Sequence, residues 1–196
     1  MRLIAGAFVV FLALTVGAAA APITYTAVLS GAAEDPPNGS LGSGTATVTI
    51  DTVAHTLDVS ADFADLIGLT TASHIHCCTA VPGAGLAGVA TETPTFSLFP
   101  LGVQAGSFSE SYDLTDVASF NAPFVTANGG TAAGAEAALA AGLAGGMAYL
   151  NIHSAFARGG EIRGFLTEEE VPVPEPVSLG LLALGLAGFA ARRRRA

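Results

Sequence analysis

Apolar and polar residues alternate along several short stretches of the chain. Between Thr45 and Ile50 the apolar positions are 46, 48 and 50, and between Thr56 and Phe63 they are 57, 59, 61 and 63. A period of two sends successive side chains to opposite faces, so each stretch predicts a strand with one wet and one dry face. Residues 51–55 have the length of a hairpin loop, which makes the two strands antiparallel neighbours. Ile23, Tyr25, Ala27 and Leu29 repeat the pattern over 23–30, and the loop around Pro36-Pro37-Asn38-Gly39 then breaks it. Further strands are predicted at 73–78, 106–114, 147–154 and 161–167, the last two joined by a turn around Arg158-Gly159-Gly160. About seven short strands with glycine- and proline-rich joints predict an all-β fold, an antiparallel Greek-key-like sandwich or barrel.

One stretch departs from this period. Residues 131–143 are alanine-rich, with Glu136, Leu139 and Leu143 at helical spacing. They predict one short helix that closes an open end of the strands, although Gly134 and Gly142 weaken it. Residues 83–94 and 120–130 read as loops.

The two ends of the chain are apolar in a different way. Arg2, the apolar run 3–16 and the small residues Ala18-Ala19-Ala20 have the order of a secretory signal peptide over 1–20, with an N-terminal membrane anchor as the alternative. At the other end, Glu168-Glu169-Glu170 and a proline-stiffened linker over 168–176 lead into the apolar run 177–191 and the basic end 192–196. Fifteen residues make about 22 Å of helix, short of a hydrocarbon core of roughly 30 Å. The run reaches across as a transmembrane helix if the stems of Arg192, Arg193, Arg194 and Arg195 snorkel, and those charges place the C-terminus in the cytoplasm. Val173, Pro174, Glu175 and Pro176, the glycine-dotted run and the four arginines together resemble the PEP-CTERM sorting signal of Gram-negative bacteria. That resemblance implies a membrane intermediate processed by an exosortase near Pro174 to Pro176, in cells that often make exopolysaccharide. A permanent anchor without processing is the alternative.

With the ends set aside, residues 21–173 hold two arginines against fifteen acidic residues, a net charge of −13, and the chain has no lysine. A surface of this sign excludes nucleic-acid binding through a basic face. It suits an exported, soluble domain over 21–167, long enough to bury a real core.

Several blocks in order resemble the chordin-type (CHRD) domain: Leu29-Ser30-Gly31 with Pro36-Pro37, Gly44-Thr45-Ala46-Thr47-Val48, His74-Ile75-His76, and Tyr149-Leu150-Asn151-Ile152-His153 leading to Gly159-Gly160-Glu161-Ile162-Arg163-Gly164. The resemblance implies an extracellular β-domain and assigns no activity. Cys77-Cys78 stands where the family often has glycine after the paired histidines.

That cluster holds the chemistry. On a strand, His74 and His76 share a face with Cα atoms about 6.6 Å apart, close enough to share one ion. Cys78 joins them if the strand persists, and His153 adds a third imidazole if its strand lies alongside. Zinc or copper suits such ligands. The alternative is that the imidazoles bond one another, a backbone carbonyl or Asn151. Neighbouring cysteines lie about 3.8 Å apart at Cα across a trans peptide, below the usual disulfide range. Two thiols at a metal, an intermolecular bridge, inert burial and a strained vicinal bridge therefore stand side by side. His55, in a turn, is expected to be solvated, and Glu161 and Arg163, on one strand face, are expected to pair. No nucleophile elbow, His-Glu-x-x-His, P-loop or dinucleotide fingerprint occurs. The expected function is a non-catalytic structural or binding module of the cell surface or matrix, not an enzyme. Its expected partners are an exosortase-type enzyme, the membrane, and exopolysaccharide or other matrix components. A zinc- or copper-binding or redox protein is the alternative.

Overall fold

The computed structural model describes residues 21–169. The expected signal peptide over 1–20, Val173 to Pro176, the apolar run and Arg192 to Arg195 lie outside the described residues. Ten elements follow in order: β1 (Ile23–Ser30), β2 (Ser43–Asp51), β3 (Thr56–Ala64), β4 (Thr70–His76), β5 (Gly106–Asp113), α1 (Ala122–Ala127), α2 (Ala132–Ala144), β6 (Tyr149–Ser154), β7 (Ile162–Phe165) and β8 (Thr167–Glu168). The strands form one antiparallel sheet in the order β4-β6-β7-β1-β2-β3-β5, with β8 added beside β1. The fold is thus all-β with a main helix and a shorter one, and the sheet is a curled half-barrel rather than two packed layers.

Alternation explains the inside. The register sets Ala46 opposite Ala61, Val48 opposite Val59 and Ile50 opposite Leu57, so the dry faces of β2 and β3 meet on the concave side. Tyr25, Ala27 and Leu29 of β1 and Phe108 and Tyr112 of β5 extend that face. Outside, Thr26, Thr47, Ser60 and Ser109 stand in one cross-strand row, none of them buried. The edge strands β4 and β5 do not pair directly. Residues 96–104, on the way into β5, run along the free edge of β4: Thr70 N donates to Val103 O at 2.8 Å and Gly102 N to Thr70 O at 2.9 Å. Phe96 and Phe99 are buried there, which seals the seam.

Both ends of the curl are stopped. At one end α2 lies across the opening. The Thr131 side chain caps it by accepting from Gly134 N, and Ala135, Leu139 and Leu143 are buried in the common core. His55 is the exposed turn residue expected, and its Nδ1 also lies 2.9 Å from a Glu136 oxygen on α2. At the other end sits Glu161, expected to pair with Arg163. It lies one residue before β7 begins, so it does not share that strand's outer face. Its carboxylate instead accepts from Ser40 Oγ at 2.6 Å, Ile67 N at 2.5 Å, Gly68 N at 3.1 Å and Ser154 Oγ.

Three boundaries also move. The strand predicted over 73–78 is β4, which stops at His76 because its partner β6 begins at Tyr149, opposite it. The stretch 161–167 divides into β7 and β8, and Glu169 N still donates to Thr24 O at 2.8 Å, so the sheet continues into the acidic run. The loop predicted over 120–130 contains α1.

Burial alone would raise the Glu161 carboxyl, but bonds from Ser154, Ser40 and the two amides outweigh it and hold its pKa below 4.5. Its contribution is therefore complete above pH 4.5 and lost as pH falls through the lowered native value. Glu161→Gln is expected to cost about 2–4 kcal/mol at pH 7, because buried donors lose their acceptor. Urea titrations of both proteins between pH 3 and 7 check this: the gap should close on acidification, and a pH-independent gap would refute it.

Candidate metal centre

All six residues of β6 are buried, so both of its faces are covered. Leu150 and Ile152 face the core; Tyr149, Asn151 and His153 face outward beneath the loops at 77–97, 155–160 and 31–38. β4 pairs with β6 along its length, which brings His74 opposite Asn151 and His76 opposite Tyr149. The outward side chains of two adjacent strands are thereby collected under one lid of loop.

Three imidazoles meet there. His74, His76 and His153 are 6%, 8% and 9% exposed, and one ring nitrogen of each lies within 4.8 Å of those of the other two. Each ring is fixed by a backbone carbonyl. His74 Nε2 is 2.8 Å from Pro94 O, His76 Nδ1 2.9 Å from Ala87 O, and His153 Nδ1 3.0 Å from Arg158 O. A carbonyl only accepts, so each of these nitrogens carries the proton. In the neutral ring the other nitrogen is then a bare lone pair: Nδ1 of His74, and Nε2 of His76 and of His153.

Those lone pairs have nothing to bond. His74 Nδ1 is buried without a partner, and the two Nε2 atoms face each other at 3.4 Å with no proton assigned to either. Burial pushes His76 and His153 down to about 4 and lowers His74 as well, with the carbonyl bonds offsetting only part of it. At neutral pH all three are uncharged, the state in which imidazole binds a metal. The spacing fits too: two nitrogens at about 2.0–2.1 Å from one tetrahedral ion stand about 3.3–3.4 Å apart. The carbonyls would serve as the outer shell that fixes tautomer and ring orientation in metal sites.

The triad is held from one side by a stack. The His76 ring lies 4.9 Å from that of Tyr149, nearly parallel, and the Arg163 guanidinium carbon is 4.8 Å from the centre of the Tyr149 ring. Arg163 donates to Ala33 O at 2.6 Å and Gly85 O at 3.1 Å and lies 3.8 Å from a Glu34 oxygen. Burial raises the Glu34 carboxyl to about 7, Arg163 opposing it only in part. Neither Arg163 nor Glu34 was expected beside the histidines. A buried arginine in a domain with only two was the available signal.

Cys78, the fourth expected ligand, is elsewhere. Because β4 ends at His76, the alternation that would return Cys78 to the histidine face stops. Cys77 and Cys78 are instead joined to each other by a disulfide, and Cys78 Sγ lies 3.7 Å from Ala138 O of α2. Gly142 makes room for the bridge: a Cβ there would overlap both sulfurs.

The strand pattern and these blocks can now be set beside known families. The CHRD domain model matches residues 25–166, and the PEP-CTERM protein-sorting motif matches residues 172–195. The chain belongs to the CHRD domain family. Its sorting signal directs this CHRD protein through the membrane to the cell envelope or the extracellular space, by way of an exosortase-type enzyme. Comparison with curated proteins and with solved structures finds no match.

Gly142→Ala is expected to lower stability by about 1–3 kcal/mol, the usual cost of overpacking. In a Cys77→Ala/Cys78→Ala background the same change should cost much less, since the sulfurs it meets are gone. Thermal melts of the four proteins measure the coupling, and additive effects would refute the contact.

Proposed function

We propose that this CHRD protein is a non-catalytic, metal-binding module of the cell envelope. It would hold one zinc or copper ion on His74, His76 and His153. The observation that carries the reading is the convergence of three buried, unprotonated ring nitrogens, each with its tautomer set by a backbone carbonyl. The competing account, imidazoles that merely bond one another, a backbone carbonyl or Asn151, is met at one nitrogen of each ring by the carbonyls of Pro94, Ala87 and Arg158, but it leaves the second nitrogen of each ring without a donor. That neither matched family is enzymatic is in keeping with a binding role.

Loading the full-length protein in detergent with Zn²⁺ should raise its melting temperature, because a ligand bound only by the folded state stabilises it by mass action, about 2.7 kcal/mol at a hundredfold excess over Kd. His74→Ala, His76→Ala and His153→Ala should each abolish that increment. Melting that ignores both metal and chelator, with no metal retained after loading with zinc or copper, would overturn the reading.

Delivery has its own test. Glu175→Ala in the sorting motif should cause a longer, membrane-bound species to accumulate in a host that carries the processing enzyme. Equal mature masses for variant and wild type would argue for a permanent anchor instead.

A further inference from the structure

We propose that the triad is a monovalent-copper site: it takes Cu(I) in preference to Zn²⁺ or Cu(II). This rests on the metal reading above and narrows it to one ion.

The first argument is charge. All three ligand atoms are neutral, and among the described residues no carboxylate or thiol joins the group. A bound dication would keep its full charge in a site whose ligands are all less than a tenth exposed. The cost of burying an ion grows with the square of its charge, so a dication is penalised about fourfold over a monocation of like size. Zinc sites commonly relieve that cost with thiolate or carboxylate ligands; this site offers neither.

The second argument is the neighbour. The Arg163 guanidinium lies over the Tyr149 ring that stacks on His76, so a positive charge already stands beside the site. Its counter-ion, Glu34, is the carboxyl that burial raises to about 7, so near neutral pH it is only partly ionised and offers incomplete compensation. Repulsion falls twice as heavily on a dication as on Cu(I).

The third argument is coordination number. Three imidazoles complete a trigonal Cu(I) site, in which nitrogens at about 2.0 Å from the ion stand about 3.5 Å apart; the His76–His153 separation of 3.4 Å admits that geometry as well as a tetrahedral one, so the distinction lies in the number of ligands. The triangle closes if the widest spacing, within 4.8 Å, shortens by at most about 1.3 Å. Zn²⁺ would take a fourth ligand, a water in three-histidine zinc sites, which here would have to fit beside ligands that are all less than a tenth exposed. The sulfurs of Cys77 and Cys78 are tied to each other and packed on α2, so they do not complete such a set.

The test is a metal competition on the wild-type, full-length protein in detergent. Under anaerobic conditions, with ascorbate to hold copper reduced while leaving the disulfide intact, Cu(I) is titrated against bicinchoninate, and Zn²⁺ is titrated in parallel against a fluorescent indicator. Expected are one Cu(I) per chain, an affinity at least about a hundredfold above that for Zn²⁺, no copper EPR signal, and X-ray absorption that reports three nitrogens near 2.0 Å. A Zn²⁺ affinity equal to or above that for Cu(I), or a Cu(II) signal persisting in ascorbate, would overturn the monovalent preference while leaving the metal site standing. Retention of neither ion would remove both. A His76→Gln/His153→Gln protein that still bound one Cu(I) would place the ion elsewhere and overturn the assignment. If that variant does not fold, the wild-type absorption spectrum decides the same point, because sulfur scattering would exclude the triad.

Discussion

The architecture turns on the burial of β6 from both sides. A strand covered on one face can leave its polar residues in water; one covered on both must find each of them a partner inside the protein. Leu150 and Ile152 answer this on the concave side by joining the core. Outward, Asn151 and His153 stand beside His74, His76 and Arg163, and the loops that cover them supply carbonyls from Ala33, Gly85, Ala87, Pro94 and Arg158. The domain therefore has two interiors: an apolar one held by area, and a smaller polar one held by directed bonds. Only the second has unmatched lone pairs.

The two poles of the curl follow from the same need to satisfy what the sheet leaves open. At one pole a single carboxylate, Glu161, receives bonds from Ser40, from the start of the β3–β4 connection at Ile67 and Gly68, and from the end of β6 at Ser154. Three stretches of the chain, around 40, 67–68 and 154–161, are thereby joined. At the other pole α2 brings Leu139 and Leu143 into the core and Gly142 against the disulfide. The bridge sits directly after His76, so the helix and the histidine cluster are linked through two residues of chain.

Much of the sheet was legible in the sequence because β1, β2 and β3 each have one wet face, and period two is then unmistakable. The His-x-His spacing likewise fixed two imidazoles on one side of β4. Less was legible where a conclusion depended on an element's end or on distant packing. Cys78 follows the same parity as His74 and His76, yet β4 stops before it; Glu161 precedes β7 by one residue and so never faces Arg163. His55 is exposed as read, but its partner Glu136 was not legible because it lies on a helix 81 residues away. The segment Ala122–Ala127 is a helix too short to display a period. His153 was correctly placed on an outward face, but it pairs in register with Ala72, and only side-chain length carries it over to His76.

The pairing of β8 with β1 has a mechanical meaning. Tyr25 stands opposite Glu168, and Glu169 reaches back to Thr24, so the chain enters and leaves the domain side by side at the pole closed by α2. A domain held through its C-terminal segment is then suspended from one pole, with the Glu161 pole outermost. Tension along that segment falls first on β8, two residues long and joined to the rest at the rim. Detaching it would leave the β4–β6 pairing that gathers the histidines untouched.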